Sequence, residues 1–418
     1  MDRTEQIVAL ARSAQDASRR VASLSTTHKN EVLLGIADEL DNKRSLLQSE
    51  NEKDVSAALA NKLSPALIDR LTLTDKVITA MIESIREVVH LPDPVGEVVK
   101  MWKRPNDLLV GRVRIPLGVI GIIYESRPNV TVDAASLCFK SGNAVILRGG
   151  KESVHSNRVL TRLMQAVLKK NSIPEAAIQL FPLLEREAVY ELLALEDYID
   201  LIIPRGGEDL IRAVVKHSKI PVIKHYKGVC HIFVDASASE EMAESIVLNA
   251  KVQRPGVCNA LETLLVHEAI APTVLPKIVS SLRARAVEIR ACEKTRELLP
   301  DLAEAGEEDW SAEYLDLVLS IKLVSTMEQA IEHIEKYGSM HTDVIITSDY
   351  SNAQQFVQRV QSSAVLVNAS TRFNDGNQLG LGSEIGISTT KLHAFGPMGL
   401  QELTTLKFVV YGNGQIRE

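Results

Sequence analysis

The sequence predicts an α/β protein built from two lobes. Short apolar, β-like runs alternate with helical patterns from residue 117 to 224, and the alternation continues from 232 to 367. Strand–helix alternation is typical of parallel sheets covered by helices. Two successive blocks, each of roughly 100 residues or more, suggest two lobes. The chain length of 418 residues independently allows two or three domains. We therefore expect a ligand cleft between the lobes.

The region before the first lobe is predicted to be helical from residue 2 to about 92. Apolar side chains recur there at helical spacing, and Gly35 is its one glycine. The segment 91–96, Leu-Pro-Asp-Pro-Val-Gly, ends this region. Two β-like runs around the turn at 104–107 then predict a hairpin within residues 98–115. A further β-like run is predicted at 406–411.

Each lobe is predicted from its own order of elements. The first lobe has strands 118–124, 144–147, 178–181, 199–203 and 221–224, alternating with helices 132–140, 153–169, 186–195 and 209–217. The second lobe has strands 232–234, 261–266, 317–322, 343–347 and 364–367, alternating with helices 240–250, 272–285, 326–336 and 352–360.

Composition excludes several classes of protein. The chain is 45% hydrophobic and 24% charged, with a formal net charge of −7. That balance is typical of globular proteins rather than disordered ones. Mild acidity argues against nucleic acid as a partner. The longest apolar run, 117–124, is too short to span a membrane. The polar start carries no visible secretion signal, which predicts a cytoplasmic location.

The four cysteines, Cys138, Cys230, Cys258 and Cys292, form no C-x-x-C pair and are predicted to be thiols. Cys258 is the candidate nucleophile because a Pro-Gly turn precedes it and leaves space beside its sulfur. Arg254, on the same loop, would favour the reactive thiolate. The alternative, a small side chain that fills a loop, remains open. The other three are predicted to fill cores, and no histidine–cysteine spacing predicts a metal site.

Two loops are candidate anion sites. Gly206 and Gly207 lie between a predicted strand and a predicted helix, where a helix N-terminus can hold phosphate. Arg148 and Lys151 follow the strand 144–147, and their charges could pair with a phosphate, including the 2′-phosphate that distinguishes NADP from NAD. An ordinary turn is the alternative for the first loop, and a solvated basic turn for the second.

Four segments together resemble the aldehyde dehydrogenase superfamily and, within it, the branch that reduces L-glutamyl 5-phosphate. The segments are 115–129, 140–151, 324–343 and 396–404. The resemblance implies an aldehyde dehydrogenase-like fold in three parts. A Rossmann-like NADP-binding domain would comprise 1–97 and 117–230, a catalytic α/β domain 231–404, and a small β oligomerisation element 98–116 and 405–418.

The resemblance also implies an activity. NADPH would reduce L-glutamyl 5-phosphate to L-glutamate 5-semialdehyde and phosphate, the second step of proline biosynthesis from glutamate. Glutamate 5-kinase would be the enzyme that delivers the substrate. The chain would form a homo-oligomer, a dimer or a tetramer, with no nucleic-acid or membrane partner.

Roles in catalysis and cofactor binding are carried over by position from the family. Cys258 would form a thioester, and Asn129 or the backbone N–H of Cys258 would stabilise the oxyanion. The cofactor NADP(H) would be held by a set of residues near the predicted loops: Arg148, Lys151, Gly206, Gly207 and Glu313.

One departure from the family pattern concerns hydrolysis. Hydrolytic aldehyde dehydrogenases have a glutamate base where this chain has Lys224. We hypothesise that Lys224 suppresses thioester hydrolysis and favours phosphate exchange. Other cations in predicted loops are candidates for binding the substrate's anionic groups, with a structural role as the alternative: Arg127, Arg254, His341 and Arg372.

Overall fold

Residues 2–417 are described by the structure, a computed structural model, and they divide into two folded units. Unit 1 comprises residues 2–224, 381–386 and 398–417. Unit 2 comprises residues 225–380 and 387–397.

The elements are numbered in chain order. The helices are α1 Arg3–Val21, α2 Thr26–Asn42, α3 Arg44–Ala60, α4 Pro65–Leu71, α5 Asp75–His90, α6 Pro128–Lys140, α7 Val154–Lys170, α8 Arg186–Leu192, α9 Glu208–His217, α10 Glu240–Val252, α11 Ala271–Arg283, α12 Glu293–Leu298, α13 Met327–Tyr337 and α14 Tyr350–Arg359. The strands are β1 Val98–Lys103, β2 Leu109–Pro116, β3 Val119–Tyr124, β4 Ala144–Arg148, β5 Ile178–Leu180, β6 Leu201–Arg205, β7 Cys230–Val234, β8 Leu261–His267, β9 Glu288–Ala291, β10 Ala303–Glu304, β11 Val318–Val324, β12 Thr342–Ile346, β13 Ala364–Val367, β14 Ile387–Ser388, β15 Gly396–Pro397 and β16 Thr404–Tyr411.

The helical region at the start of the chain is confirmed, and local caps divide it into α1–α5. The Asp2 side chain accepts a hydrogen bond from the Glu5 backbone N–H, and the Glu5 side chain accepts one from Asp2, which is a capping box. Ser25 begins α2 in a similar way by accepting from the His28 backbone N–H. The buried face of α1 then joins the hydrophobic core around β3 and β4.

The main sheet of unit 1 is parallel, with strand order β5-β4-β3-β6. Every residue of β3 is buried, which explains its continuous apolar pattern. The order of the strands reverses between β3 and β6. In open parallel sheets, ligands bind beyond the carboxyl ends of the strands at such a switch point.

A separate three-stranded antiparallel sheet in unit 1 has the order β1-β2-β16. The predicted hairpin is confirmed as β1 and β2. The strand β16, from the end of the chain, pairs with β2 along its whole length. Large apolar side chains of this sheet are exposed, including Val98 (52%), Phe408 (62%) and Tyr411 (60%).

The main sheet of unit 2 has strand order β10-β9-β11-β8-β7-β12-β13, and its strands are parallel. Its core includes Ile232, Leu264, Ile321 and Val344, all fully buried. Cys258 lies in the turn between α10 and β8, at the amino end of β8. The residues around Cys258 therefore lie at the amino ends of these strands.

Two expectations about elements were wrong. The predicted strand 221–224 is reduced to one isolated bridge, between Val222 and Ile202. Pro221 has no N–H to donate, so a regular ladder cannot extend through it. In unit 2 the sequence pattern missed β9, α12, β10, β14 and β15, which are only two to six residues long.

Within residues 2–417, no helix is long and apolar enough to cross a membrane.

Candidate active site

Cys258 is half-buried, and its backbone is clamped on two sides. A Cβ atom added at Gly228 would lie 2.1 Å from the Cys258 carbonyl oxygen, so only glycine fits at that position. The buried thiol of Cys230 donates a hydrogen bond to the same carbonyl oxygen at 3.2 Å. These contacts fix the main chain of the candidate nucleophile.

The loop that carries Cys258 is closed at its ends by a buried ion pair. The Lys251 ammonium, at the end of α10, lies 2.7 Å from the Glu262 carboxylate in β8 and donates to the Leu261 carbonyl at 2.9 Å. Both charged side chains are fully buried. Burial raises the pKa of Glu262 to about 7, although the charge of Lys251 opposes the shift. The pair therefore joins α10 to β8 on either side of the nucleophile.

Glu313 connects a third segment to this loop. Its carboxylate accepts a hydrogen bond from the Gly228 backbone N–H at 2.8 Å, which holds the glycine that packs on Cys258. Two residues later, the Leu315 N–H donates to the Glu262 carboxylate at 3.2 Å. Glu313 was predicted to bind the cofactor ribose. The structure places it in unit 2, where it contacts Gly228, which in turn packs against the Cys258 backbone.

His341 lies at the amino end of β12, and its side chain is fully buried. Its Nδ1 is 2.8 Å from the Thr342 hydroxyl and 3.6 Å from the Cys230 sulfur. Burial lowers the pKa of His341 to about 3, and the charge of His225, whose ring is 5.8 Å away, acts in the same direction. The imidazole is therefore neutral at pH 7, and it would contact an anion by a hydrogen bond rather than by charge.

Two of the predicted substrate-binding cations lie near Cys258 within unit 2. Arg254 is exposed on the same loop. Arg372 is half-buried and donates from Nε to the Gln253 side chain at 2.9 Å. Burial lowers the pKa of Arg372, the positive charge of Arg254 lowers it further, and the negative charge of the Cys258 thiolate opposes the shift. The two guanidinium groups thus give the thiol loop a positive field.

Two further predicted cations, Arg127 and Lys224, belong to unit 1. Arg127 is the residue before the first turn of α6 and is half-buried. Lys224 is also half-buried and is the last residue of the first segment of unit 1.

The switch point of the unit 1 sheet joins the carboxyl ends of β3 and β6. The Glu125 backbone N–H donates to the Arg205 carbonyl at 3.1 Å, and the Gly207 N–H donates to the Glu125 carboxylate at 3.0 Å. Gly207 is the N-cap of α9 and is exposed, and a Cβ added there would meet nothing within 4 Å. The helix N-terminus is thus an open anion site that the protein's own carboxylate contacts.

Arg148 ends β4, beside this switch point. Its Nη2 donates to the Leu184 carbonyl at 3.0 Å, while its buried Nε has no hydrogen-bond partner within residues 2–417. Burial lowers the pKa of Arg148, and the charges of Glu152 and Glu125 oppose the shift. Lys151 is exposed in the short turn that follows. An unpartnered guanidinium N–H, an exposed ammonium and a helix N-terminus fit the phosphates of a dinucleotide.

Asn129, the candidate oxyanion donor, lies in the first turn of α6 in unit 1. Its side-chain N–H donates to the Asp133 carboxylate at 3.1 Å, and the Ser84 hydroxyl donates to the same carboxylate at 3.0 Å. Burial raises the pKa of Asp133. The amide of Asn129 is therefore fixed in orientation by its own helix. Cys258, whose backbone N–H is the second candidate, lies in unit 2.

Several residues support the site rather than react, and they were not predicted from the sequence. Lys251 and Glu262 gave one usable signal, because each is a charge among apolar neighbours in its element. Glu125, which follows the apolar strand β3, gave a weaker one. Gly228 gave no such signal. Glycine is required there because the Cys258 backbone, from a distant segment of the chain, leaves no room for a side chain. Across residues 2–417, no group of three or more His, Cys, Asp or Glu side chains could hold a metal ion.

Comparisons with known proteins identify the family. The aldehyde dehydrogenase family model matches residues 2–296. Gamma-glutamyl phosphate reductase from Geotalea daltonii is 60% identical over 414 residues, which is 99% of each chain. The crystal structure of gamma-glutamyl phosphate reductase from Thermotoga maritima aligns with a TM-score of 0.97 at 47% identity, covering 99% of this chain and 100% of that one.

A more distant structure shares the fold alone. An engineered glycolyl-CoA reductase with bound NADP+ aligns with a TM-score of 0.69 at 16% identity, over 97% of this chain and 96% of that one. The predicted aldehyde dehydrogenase-like α/β fold is thereby confirmed. The chain belongs to the gamma-glutamyl phosphate reductase family, within the aldehyde dehydrogenase superfamily.

Proposed function

We propose that the protein reduces L-glutamyl 5-phosphate to L-glutamate 5-semialdehyde and phosphate, with NADPH as the reductant, as the second step of proline biosynthesis from glutamate. The name of its relatives and their identity along the whole chain support this substrate. The observation that carries the chemistry is the half-buried Cys258 thiol on a clamped loop beside two guanidinium groups.

In the first step, the Cys258 thiolate attacks the acyl carbon of the substrate. A carbon–sulfur bond forms, the bond from that carbon to the phosphate oxygen breaks, and phosphate leaves. Arg254 and Arg372 favour the thiolate and attract the anionic substrate. The backbone N–H of Cys258, or the side chain of Asn129, stabilises the oxyanion. The clamp by Gly228 and Cys230 keeps the sulfur in one position throughout.

In the second step, the thioester is reduced. Reduced nicotinamide, when bound, supplies a hydride to the thioester carbon. The carbon–sulfur bond then breaks, the aldehyde is released and Cys258 returns as a thiolate. The buried Lys251–Glu262 pair keeps the loop closed, which limits movement of the sulfur between the two steps.

For the cofactor, we propose that Gly206 and Gly207 contact the pyrophosphate and that Arg148 and Lys151 contact the ribose and the 2′-phosphate. Glu313 remains a proposed contact to the nicotinamide ribose. The check is a titration of Lys151→Ala with NADPH and with NADH. Weaker binding of NADPH with unchanged binding of NADH is expected, and equal effects on both would contradict the assignment.

Lys224 is proposed to replace the base that would activate water. An ammonium cannot accept a proton from water, so the thioester survives until hydride transfer. The substitution Lys224→Glu should produce hydrolysis of the aldehyde-derived thioester, measured as NADP reduction without phosphate. Lys224→Met is the matched control, because it removes the ammonium without supplying a base. Equal rates in the two variants would contradict the hypothesis.

The remaining expectations concern partners and location. We propose that the β1-β2-β16 sheet joins copies of the chain into a dimer or a tetramer, because its exposed apolar residues and edge strands are typical of interfaces. Sedimentation of Phe408→Lys should then show smaller particles than the unsubstituted protein.

Glutamate 5-kinase is the proposed supplier of the substrate. We place the enzyme in the cytoplasm, where reducing conditions keep Cys258 a thiol.

The central experiment uses the reverse reaction, in which L-glutamate 5-semialdehyde, phosphate and NADP+ give the acyl phosphate, NADPH and a proton. NADPH formation that depends on phosphate is expected, and it should be lost in Cys258→Ser. Cys292→Ser is the matched control, because Cys292 is the N-cap residue of α12 and has no role in the proposed mechanism. Turnover that requires coenzyme A instead of phosphate would overturn the proposal.

A further inference from the structure

We propose that a pocket in unit 2, next to the Cys258 loop, binds the α-ammonium and α-carboxylate groups of the substrate and so selects an amino acid over a simple acyl chain. This inference rests on the proposed function and adds to it the part of the site that recognises the end of the substrate remote from the acyl phosphate. The pocket has a volume of about 270 Å³ and is lined by Asn249, Gln253, Arg372, Phe373, Asp375 and Gln378.

The position of the pocket supports this assignment. Gln253 lies on the segment between α10 and Cys258, and the Nε of Arg372 donates a hydrogen bond to its side-chain oxygen at 2.9 Å. Asn259, the residue after Cys258, donates to the Asn374 carbonyl at 2.9 Å. Hydrogen bonds thus join residues 372–375 to the Cys258 loop both before and after the nucleophile. The substrate's α-carbon lies three carbon–carbon bonds from its reacting carbon, so its amino-acid end must lie close to Cys258.

The charges of the pocket match a zwitterion. Arg372 presents a guanidinium group, which suits a carboxylate. Asp375 presents a carboxylate, and its Oδ1 accepts from the backbone N–H groups of Asn377 and Gln378 at 3.1 and 3.3 Å, which fixes the side chain. A cation and an anion three residues apart in one pocket complement the two charged groups on the α-carbon. Arg372 and Asp375 also attract each other electrostatically, and a zwitterion can replace that attraction at both side chains, whereas an acyl chain without charges cannot.

Besides Asp375, the pocket lining includes the side-chain amides of Asn249 and Gln378, whose oxygens can accept hydrogen bonds. An ammonium group carries three N–H donors. We therefore assign the α-ammonium to the side of the pocket that Asp375 occupies.

The test compares two aldehydes in the reverse, phosphate-dependent reaction. L-glutamate 5-semialdehyde carries both charged groups, and glutarate semialdehyde has the same chain and carboxylate without the ammonium. In Asp375→Asn, kcat/KM for the first should fall at least tenfold relative to kcat/KM for the second, mainly through KM. Exposed Asp38→Asn, on α2 in unit 1, is the matched control and should keep the ratio of the unsubstituted protein.

A second variant covers the case in which Asp375→Asn does not fold. Gln378 is exposed, and Gln378→Lys places a positive charge in the pocket. It should lower the ratio in the same direction by repelling the ammonium. An unchanged ratio in both variants, or a rise in KM for phosphate alone, would overturn the pocket assignment and leave the proposed function standing. No phosphate-dependent turnover by the unsubstituted protein would overturn both.

Discussion

The two units use opposite edges of their parallel sheets. In unit 1 the candidate cofactor groups lie at the carboxyl ends of β3, β4 and β6, as the general rule for open α/β sheets expects. In unit 2 the candidate nucleophile and its supports lie at the amino ends of β7, β8 and β12. The rule that ligands bind at the carboxyl ends of parallel strands could have located the candidate cofactor groups of unit 1, but not the Cys258 site of unit 2.

The two edges also differ in how firmly their groups are held. Gly206, Gly207 and Lys151 are exposed, and the Gly207 N–H is bonded to Glu125, a carboxylate that a phosphate could replace. Around Cys258, by contrast, the supporting Cys230 and His341 side chains are fully buried. A cofactor must enter and leave in each turnover, while a nucleophile must return to one position. Under the proposed function, the exposed edge of unit 1 would allow the cofactor to exchange, and the buried supports in unit 2 would hold the nucleophile in place.

The largest effect is expected from breaking the buried pair beside Cys258. Lys251→Met leaves the Glu262 carboxylate buried without its partner, which should lower the free energy of unfolding by about 3–5 kcal/mol. Urea denaturation measures this loss. Lys277→Met is the matched control, since Lys277 pairs with Glu240 on the surface and should change stability little.

A double variant sharpens that result. Lys251→Met with Glu262→Met removes both charges and should recover most of the stability. If Lys251→Met unfolded at the same urea concentration as Lys277→Met, the pair would not hold the loop and the contrast between the two edges would fail.

The next effect is a pH dependence that belongs to unit 2. The pKa of His341 is lowered from 6.5 to about 3 in the folded protein, mainly by burial. The unfolded chain therefore takes up the proton first, and stability is lost as the pH falls from about 6.5 toward 3. One proton contributes about 1.4 kcal/mol per pH unit. Between pH 6 and 4, the free energy of unfolding of His341→Gln should fall less steeply than that of the unsubstituted protein, by about 1.4 kcal/mol per pH unit.

The control for the pH experiment is His90→Gln, because His90 is exposed at the end of α5. Its slope should equal that of the unsubstituted protein. Parallel slopes for His341→Gln and His90→Gln would show that the amino edge of the unit 2 sheet is not as closed as its burial indicates.

The smallest effect is expected at the open edge of unit 1. In Glu125→Gln, the negative charge that contacts the Gly207 N–H is removed, so a dinucleotide pyrophosphate meets less repulsion at the start of α9. Two like charges about 4 Å apart in water repel by roughly 1 kcal/mol, which corresponds to roughly fivefold tighter NADPH binding. Fluorescence titration measures it, with exposed Glu187→Gln as the control. Weaker binding would mean that Glu125 supports the cofactor.

Much of the fold was predictable because its signals are local. The buried strand β3 followed from an unbroken apolar run, and the starts of α1 and α2 are explained by short capping side chains next to their helices. Short elements such as β10 were missed because two residues hold no periodicity. The strand at 221–224 failed because the pattern did not account for the missing donor of Pro221.

The sequence by itself determined most of the strands and helices of both lobes, a candidate thiol nucleophile and, through its motifs, the family. Only the tertiary structure decided that Cys258 lies at an amino edge, that Gly228 packs on its carbonyl, and that Lys251 and Glu262 are paired. The physical reason is that periodicity and capping act within a few residues. Strand pairing and close packing join segments that are far apart in the chain, and no local pattern records their partners.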